Sequence, residues 1–375
     1  MVAAAWLGLA AAANFVRGAE LAPQAVQYNR DVRPILSDKC FRCHGPDSAS
    51  RQAELRLDRR ESATSEHDGA RAIAADRPDD SELLRRVGAD DPDVRMPPAG
   101  AGEKLGEREI DVLRRWIEQG AEYQPHWSLI PPKTSPPPEV RQSDWPKNEI
   151  DRFVLHRLEQ ESLSPSPEAD RAVLLRRASL DLIGLPPTLD ELDAFLHDAA
   201  PDAYERAVDR LLASPRYGER MALDWLDLAR YADTNGYFSD LERQMWRWRD
   251  WVIEAFNQNQ PFDQFTVEQL AGDLLPAPSE PQRIATGFNR NHPVTNESGV
   301  IDEEYRVEYV ADRAETTAAI WLGLTVGCAR CHDHKFDPLS QREYYQLFAY
   351  FNNVPEQGLV KGTGNPPPAL QLFST

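Results

Sequence analysis

The chain has 375 residues, of which 41% are hydrophobic and 27% charged, a composition typical of globular proteins. Its length predicts two or three domains, because one hydrophobic core seldom serves so long a chain. There are 42 Lys and Arg against 61 Asp and Glu, and the resulting formal net charge of −19 argues against nucleic acid as a partner.

The N-terminal residues resemble a targeting segment. Residues 2–13 form an apolar run of the length found in signal peptides, about half of what a bilayer span requires. Small residues suited to cleavage follow, although no Lys or Arg precedes Arg17, so an apolar N-terminal helix is the alternative. We expect residues 1–19 to be a signal peptide, the protein to be periplasmic or otherwise exported, and no segment to span a membrane.

A first domain is predicted over residues 24–125. Its last helix lies between Gly106 and Gly120, two residues typical of helix ends, and is marked by apolar residues at helical spacing: Ile110, Leu113, Trp116 and Ile117. The Pro-rich residues 126–147 then predict an extended linker.

A second, larger domain is predicted over residues 148–355, where the apolar residues keep helical spacing. Two helix starts show the capping-box pattern, Thr188 with Glu191 and Ser340 with Glu343. Three prolines predict a division into two sub-bundles: Pro276, Pro278 and Pro281. Residues 356–375 are predicted to be a tail, frayed or cut short from Pro366 onward.

All four cysteines lie in two copies of Cys-x-x-Cys-His, the attachment signature of c-type haem. Since only 8 residues are histidine, a chance histidine after both pairs is improbable. In this signature the thiols bond to the porphyrin and the adjacent imidazole binds the iron. We therefore expect two covalently bound c-type haems, held by Cys40, Cys43 and His44 and by Cys328, Cys331 and His332.

Two other readings of the cysteines are weaker. The paired motifs of zinc sites usually lie 15 to 20 residues apart, whereas here Cys43 and Cys328 lie far apart in the chain. A thioredoxin-like redox pair expects a βαβ context, which neither flank shows.

The first haem has a candidate sixth ligand in Met96, the sole methionine between residues 20 and 130. It lies in Arg-Met-Pro-Pro, where two prolines stiffen the backbone and present the sulfur, and a thioether ligand raises the reduction potential. A core methionine is the alternative reading, and His67 is a weaker candidate ligand.

The second motif has no methionine after it. His292, on a turn-rich loop, is the candidate distal ligand, and Met245, Met221 or an open coordination position are the alternatives. His334 lies too close to His332 to reach the opposite face of the iron, so we expect it to contact the pocket or a propionate.

Two further groups of residues have ordinary structural explanations. The first is aromatic, at near-helical spacing, and is expected to pack in a core: Trp225, Trp246, Trp248, Trp251, Phe256, Phe262 and Phe265. The second is acidic, near the second motif, and fits acid–base groups and solvated helix faces equally well: Glu297, Glu303, Glu304, Asp333 and Asp337.

Longer motifs carry a family resemblance. The first domain resembles the planctomycete-type cytochrome c domain, through YNRDVRPIL at 28–36, the first Cys-x-x-Cys-His, LRLD at 55–58, RMPP at 95–98 and LRRWI at 113–117. In that family the Cys-x-x-Cys-His binds haem covalently and the methionine of RMPP is taken as the sixth ligand. The resemblance thus implies these roles for Cys40, Cys43, His44 and Met96.

The second domain resembles the cytochrome-associated domain of unknown function that follows it in such proteins, through RYADTNG at 230–236, EQLAGDLLP at 268–276, EYRVEY at 304–309 and GCARCHDHK at 327–335. That domain has no settled activity. Relatives usually continue into a further large domain, so the resemblance implies that residues 356–375 begin a truncated segment.

Together these observations predict a mainly α protein, with a small class I-like cytochrome c domain before a larger helical domain that carries the second motif. We expect an exported dihaem electron carrier whose acidic surface meets a basic face on its redox partner. A haem-dependent oxidoreductase, with a catalytic second haem fed by the first, is the alternative, so whether the protein is an enzyme stays open. A non-catalytic docking module with haem as a staple or sensor is the third hypothesis.

Overall fold

The computed structural model describes residues 25–67, 69–237 and 239–372. Over these residues the chain is mainly helical, as predicted, and divides into two compact units. Among the described residues, the first unit comprises those from 25 to 131 together with 335–338, and the second comprises the others. The boundary at Pro131 lies inside the predicted linker, and the predicted signal peptide lies outside the described residues. None of the described helices is long and apolar enough to cross a membrane.

Within the described residues, the first unit contains five short α-helices and one small hairpin. The helices are α1 (Arg33–Lys39), α2 (Phe41–His44), α3 (Arg60–Thr64), α4 (Glu82–Val87) and α5 (Glu107–Glu118), and strands β1 (Glu66–His67) and β2 (Ala70–Arg71) pair antiparallel. The prediction for α5 is confirmed. The backbone N–H of Gly106 donates to the Glu109 carboxylate at 2.7 Å, and Gly120 adopts a φ of +94°, which favours glycine directly after a helix.

The core of the first unit joins its two ends. The ring centroid of Tyr28 lies 4.5 Å from that of Tyr123 and 5.7 Å from that of Trp116. The residues before α1 therefore contact α5 and the residues that follow it. Leu36 in α1 and Phe41 in α2 are buried in the same core. These contacts fix the backbone on both sides of Cys40, the first residue of the first Cys-x-x-Cys-His motif.

The second unit contains ten helices within the described residues: α6 (Glu149–Gln160), α7 (Arg171–Ile183), α8 (Leu189–His197), α9 (Ala203–Leu212), α10 (Pro215–Leu228), α11 (Trp246–Asn257), α12 (Phe262–Ala271), α13 (Glu280–Ala285), α14 (Asp302–Thr317) and α15 (Gln341–Phe351). Both predicted capping boxes are confirmed, with Thr188 beginning α8 and Ser340 beginning α15.

The predicted division into sub-bundles at the prolines is wrong. Helix α13 packs against both α11 and α12, and Gln282 donates to the Glu268 carboxylate at 3.1 Å. Pro281 lies in the first turn of α13, where a proline removes no helical hydrogen bond. It therefore starts a helix of the same unit rather than ending a bundle.

The aromatic cluster packs as predicted, with two exceptions. Trp251 stacks on Phe265 at 5.4 Å between centroids, and Trp248 is fully buried beside them. Trp246 and Phe262, in contrast, are 38% and 66% exposed. Helical spacing alone did not distinguish the buried face from its edge.

The segment after α15 forms hydrogen bonds with the rest of the second unit. The backbone N–H of Val360 donates to the carbonyl of Thr295 at 2.9 Å, and Pro366 accepts a hydrogen bond from Arg290 at 3.3 Å. Residues 356–366 therefore pack on the second unit because buried arginines take their polar groups as partners.

Candidate functional site

The first Cys-x-x-Cys-His motif forms a single helical turn. The carbonyl of Cys40 accepts hydrogen bonds from the N–H groups of Cys43 at 3.1 Å and His44 at 2.8 Å. Residues three and four positions apart lie on the same face of such a turn. The two thiols and the imidazole are therefore presented on one side, and neither cysteine is in a disulfide.

The surroundings of Cys40 suit a thioether better than a thiolate. The residue packs against the apolar core of the first unit, and burial raises the pKa of its thiol to about 12. Zinc binding and thiol redox chemistry both need the charged thiolate, which this environment disfavours. The described residues also hold no cluster of three or more metal-ligating side chains. An uncharged thioether fits without any desolvation of charge.

His44 is half-buried and presents a neutral imidazole. Burial lowers the pKa of His44, and the positive charge of Arg86 lowers it further. Its Nδ1 atom is buried and has no hydrogen-bond partner among the described residues. Neutral imidazole is the form that binds a metal, so the residues of this turn fit a covalently attached haem.

The chain after His44 is held tightly. The backbone carbonyls of Cys43 and His44 each accept an N–H at 2.8 Å, from Gln52 and Leu57 respectively. A Cβ atom on Gly45 would lie only 2.2 Å from the carbonyl oxygen of the residue that begins α2. Glycine is therefore required directly after the proposed proximal ligand.

Met96 is hydrogen-bonded to the C-terminal part of α4. The backbone N–H of Met96 donates to the carbonyl of Arg86, near the C-terminus of α4, at 3.0 Å. The Met96 side chain is partly buried. The same Arg86 is close enough to His44 to affect its pKa. His67, the weaker candidate, has its Nε2 within hydrogen-bonding distance of the Ser65 hydroxyl and the Ser62 carbonyl, at 2.9 and 3.1 Å. These contacts favour Met96 over His67.

The second motif also forms a tight turn, but on the surface. Cys328, Cys331 and His332 are all exposed, and the Cys328 carbonyl accepts from the N–H groups of Cys331 at 3.3 Å and His332 at 3.4 Å. The Nδ1 of His332 lies 2.8 Å from the carbonyl of Asp333. Such a bond orients an imidazole and leaves Nε2 for a metal.

Arg330, between the two cysteines of this motif, ties the turn to α14 and α15. It pairs in bidentate fashion with Glu308, which raises the pKa of the guanidinium. Its carbonyl accepts hydrogen bonds from the Gln341 amide at 3.1 Å and the Tyr345 hydroxyl at 3.0 Å. The motif is thus exposed on a fixed backbone.

Both ring nitrogens of His292 lie within hydrogen-bonding distance of other groups. The residue is fully buried, with Nδ1 3.0 Å from the Pro293 carbonyl and Nε2 3.0 Å from a nitrogen of Arg313. Burial, first of all, and the neighbouring arginines hold its pKa well below the usual value. The role of His292 as distal ligand stays a prediction, one that this geometry does not support.

Two of the acidic residues near the second motif, Glu303 and Asp333, have separate partners. Glu303 pairs with Arg306 at 2.7 Å, and Asp333 accepts the N–H of Gln341 at 2.9 Å. His334 is buried, and its backbone N–H donates to the carbonyl of Leu339 at 2.8 Å. These contacts favour structural roles.

Sequence reasoning missed a group of buried arginines around His292. Glu356 lies 2.5 Å from Arg290 and 3.1 Å from Arg313, and Arg243 donates to the carbonyl of His292 at 2.9 Å. Burial lowers the pKa of Arg243 to about 10. The feature of the sequence that could have indicated this group is the number of arginines among these residues of a chain that is acidic as a whole.

Two family descriptions match the chain. Residues 149–356, more than half of it, match the protein of unknown function DUF1549, also called PSCyt2. The chain belongs to this family. In this DUF1549 protein, residues 40–100 match Planctomycete cytochrome C, a span that includes the first motif and Met96, so the predicted order of the two domains is confirmed. Comparisons with curated proteins and with solved structures give no match.

The cytochrome match supports assignment as a c-type cytochrome and implies covalently bound haem. It covers the turn in which Cys40, Cys43 and His44 share one face. The DUF1549 match covers the second motif and gives no activity for it.

Proposed function

We propose that the protein is an exported dihaem c-type cytochrome that transfers electrons. The observation that carries the proposal is that both Cys-x-x-Cys-His motifs close a turn on the carbonyl of their first cysteine. The match of the first motif to Planctomycete cytochrome C supports it. Haem supplies one-electron chemistry when it is bound.

At the first site, Cys40 and Cys43 would anchor the porphyrin and His44 would bind the iron. Met96 would complete the coordination from a loop that is hydrogen-bonded to α4. A thioether in that position favours the reduced state and a higher potential. With His44 and Met96 both bound to the iron, the site would suit electron transfer and would leave no position for a substrate.

At the second site, the exposure of Cys328, Cys331 and His332 would leave one edge of a haem open to a partner. The formal net charge of −19 favours a partner with a basic docking face. Association with such a partner slows as ionic strength rises, because salt screens exposed charges over about 10 Å at 0.1 M. A rate independent of salt would contradict this docking mode.

One observation favours a second candidate function, a haem-dependent oxidoreductase with its catalytic centre at the second motif. Both ring nitrogens of His292 are engaged, and no methionine follows Met245. Unless Met221 or Met245 binds the iron, the second haem would have an open coordination position, and reaction at iron needs such a position.

The test begins with protein matured by c-type haem machinery in an exporting host. Pyridine haemochrome and intact mass should show two haems in the full chain. Each double Cys→Ser variant, Cys40 with Cys43 or Cys328 with Cys331, should retain one. A full chain with one haem or none overturns the dihaem proposal.

Carbon monoxide separates the two candidate functions. An electron carrier with both irons six-coordinate binds no CO after reduction. One CO per two haems, lost in the Cys328 and Cys331 double variant, supports the oxidoreductase and contradicts the pure carrier.

A further inference from the structure

The second unit contains a cavity of about 1120 Å³. Residues of α11, α13, α14 and α15 line it, together with the segment 365–372. Neither Cys-x-x-Cys-His motif contributes to the lining. Ligand pockets in proteins usually measure about 300–1,000 Å³, so this cavity has room for a sizeable organic molecule.

The cavity wall is strongly basic in a chain that is acidic as a whole. One acidic residue, Asp273, lines it, against five arginines: Arg243, Arg247, Arg283, Arg290 and Arg313. The chain as a whole has 42 basic against 61 acidic residues. A concentration of positive charge at a concave wall attracts anions, because the low-dielectric surroundings focus the field.

The arginines of the wall lack matching carboxylates. Arg290 and Arg313 share the single carboxylate of Glu356. Arg247 and Arg283 are exposed and form no ion pair within the described part of the chain. Guanidinium groups at a partly desolvated wall are stabilised by an anion, preferably one that accepts two hydrogen bonds at once.

Buried donors at the same wall have no partner. The indole N–H of Trp248, the hydroxyl of Thr317 and the Nε of Arg313 are buried without a hydrogen bond among the described residues. All three residues line the cavity, and they are 2%, 8% and 3% exposed. The Oδ1 of Asn289, an acceptor in the same wall, is also buried without a partner among the described residues. Buried polar groups are nearly always satisfied in native proteins, so these four unpaired groups suit a polar ligand that draws their side chains toward the cavity.

Much of the remaining wall is apolar, and part of it is exposed. Trp246, Leu274 and Tyr350 line the cavity and are 38%, 76% and 78% exposed. Aromatic and aliphatic side chains of this kind cover the ring or chain of an organic ligand. A ligand that satisfies the whole wall therefore needs an apolar body as well as anionic oxygens.

We propose that this cavity binds an amphipathic organic anion, with a ring-bearing apolar body and a carboxylate, sulfonate or similar group facing the arginines. The site is separate from both haem motifs and does not depend on how many haems the chain carries.

Anilinonaphthalene sulfonate is a suitable probe, because it joins two aromatic rings to one anionic group. Calorimetric titration of the full chain, purified with its haem, should give one site per chain. Phenylnaphthylamine, the same ring system without the sulfonate, is the matched control and should bind at least about tenfold more weakly, since a hydrogen bond to a charged group contributes about 1.5–3 kcal/mol.

Variants locate the site. Arg283→Gln and Arg247→Gln should each weaken sulfonate binding about tenfold, for the same reason. Thr317→Val should weaken it too, without destabilising the free protein, because it removes an unpaired buried hydroxyl. Arg152→Gln is the control, since Arg152 is an exposed arginine of α6 outside the cavity. Circular dichroism establishes that each variant is folded.

Three results would overturn the proposal. The first is that the neutral ring system binds as tightly as the sulfonate, because charge then plays no part. The second is that the Arg247 and Arg283 variants bind the sulfonate like the Arg152 variant, because the probe then binds elsewhere. The third is that the sulfonate binds only after the Cys328 and Cys331 double substitution, because haem then fills the cavity.

Discussion

Replacing Glu356 by glutamine tests the buried charge network of the second unit. The carboxylate is 8% exposed and contacts two guanidinium groups, Arg290 at 2.5 Å and Arg313 at 3.1 Å. Arg313 is itself 3% exposed. Glutamine keeps the shape and one acceptor oxygen but removes the negative charge, so that the positive charges remain buried without compensation.

The expected loss follows from that burial. Breaking a buried ion pair by removing one partner costs about 3–5 kcal/mol, because the remaining charge is left desolvated. Glutamine retains an acceptor, so we place Glu356→Gln at the lower end, about 3 kcal/mol. For a unit of this size, about 240 residues, each kcal/mol lowers the Tm by about 2–4 °C, which gives a decrease of roughly 6–12 °C.

Differential scanning calorimetry measures this change, with Glu303→Gln as the matched control. Glu303 also pairs with an arginine, Arg306 at 2.7 Å, but its side chain is 68% exposed and screened by solvent. The control should leave the Tm almost unchanged. Equal shifts in the two variants would refute the conclusion that burial makes the Glu356 pairs important.

Three further predictions concern single residues. Met96→Leu should keep the haem attached but lower its reduction potential by about 0.1 V or more, within the roughly 0.8 V range that axial ligands span. Met221→Leu is the control and should leave the potential unchanged. An unchanged potential for Met96→Leu in a redox titration contradicts Met96 ligation. The pKa of His292 is lowered in the folded state, so below about pH 6.5 its imidazole takes up a proton in the unfolded state but not in the folded state. The free energy of unfolding therefore falls by up to about 1.4 kcal/mol per pH unit as the pH decreases. Urea unfolding between pH 6.5 and 5 measures this dependence, and His292→Gln should remove the contribution of His292 to the slope of the unfolding free energy against pH. Parallel slopes for the two proteins would refute this role of His292. Gly45→Ala should destabilise the first unit by about 1–3 kcal/mol and reduce haem incorporation, while Gly102→Ala, with 3.4 Å of clearance, should fold and load haem normally.

Local patterns predicted the helices well because they depend on neighbouring residues. The capping box at Thr188, the glycines on either side of α5 and the periodicity of α5 are all read within a few positions. The same holds for the turn of the first motif, since the spacing of Cys40, Cys43 and His44 is itself a helical turn. The sequence did not reveal which partners these turns meet in the fold.

Long-range pairing explains what sequence reasoning missed. His292 was singled out as a ligand because it lies on a turn-rich loop, but Arg313, which engages its Nε2, comes from a helix 21 positions later. Glu356, the carboxylate shared by Arg290 and Arg313, is the first residue of the segment that was predicted to be a tail. Spacing along one segment contains no information on such contacts, so an arginine-lined cavity was not predicted.

The two Cys-x-x-Cys-His turns differ in burial, and this difference bears on how they would work. Cys40 packs on the core of the first unit, so a haem attached there would be partly shielded from water, which favours a stable six-coordinate iron with Met96. Cys328 and Cys331 are exposed, so a haem there would meet solvent and partners, and its potential would respond more to nearby charge. A redox titration of the two double Cys→Ser variants at low and high salt should therefore show the larger salt-induced shift for the haem at Cys328, and equal shifts would contradict this account.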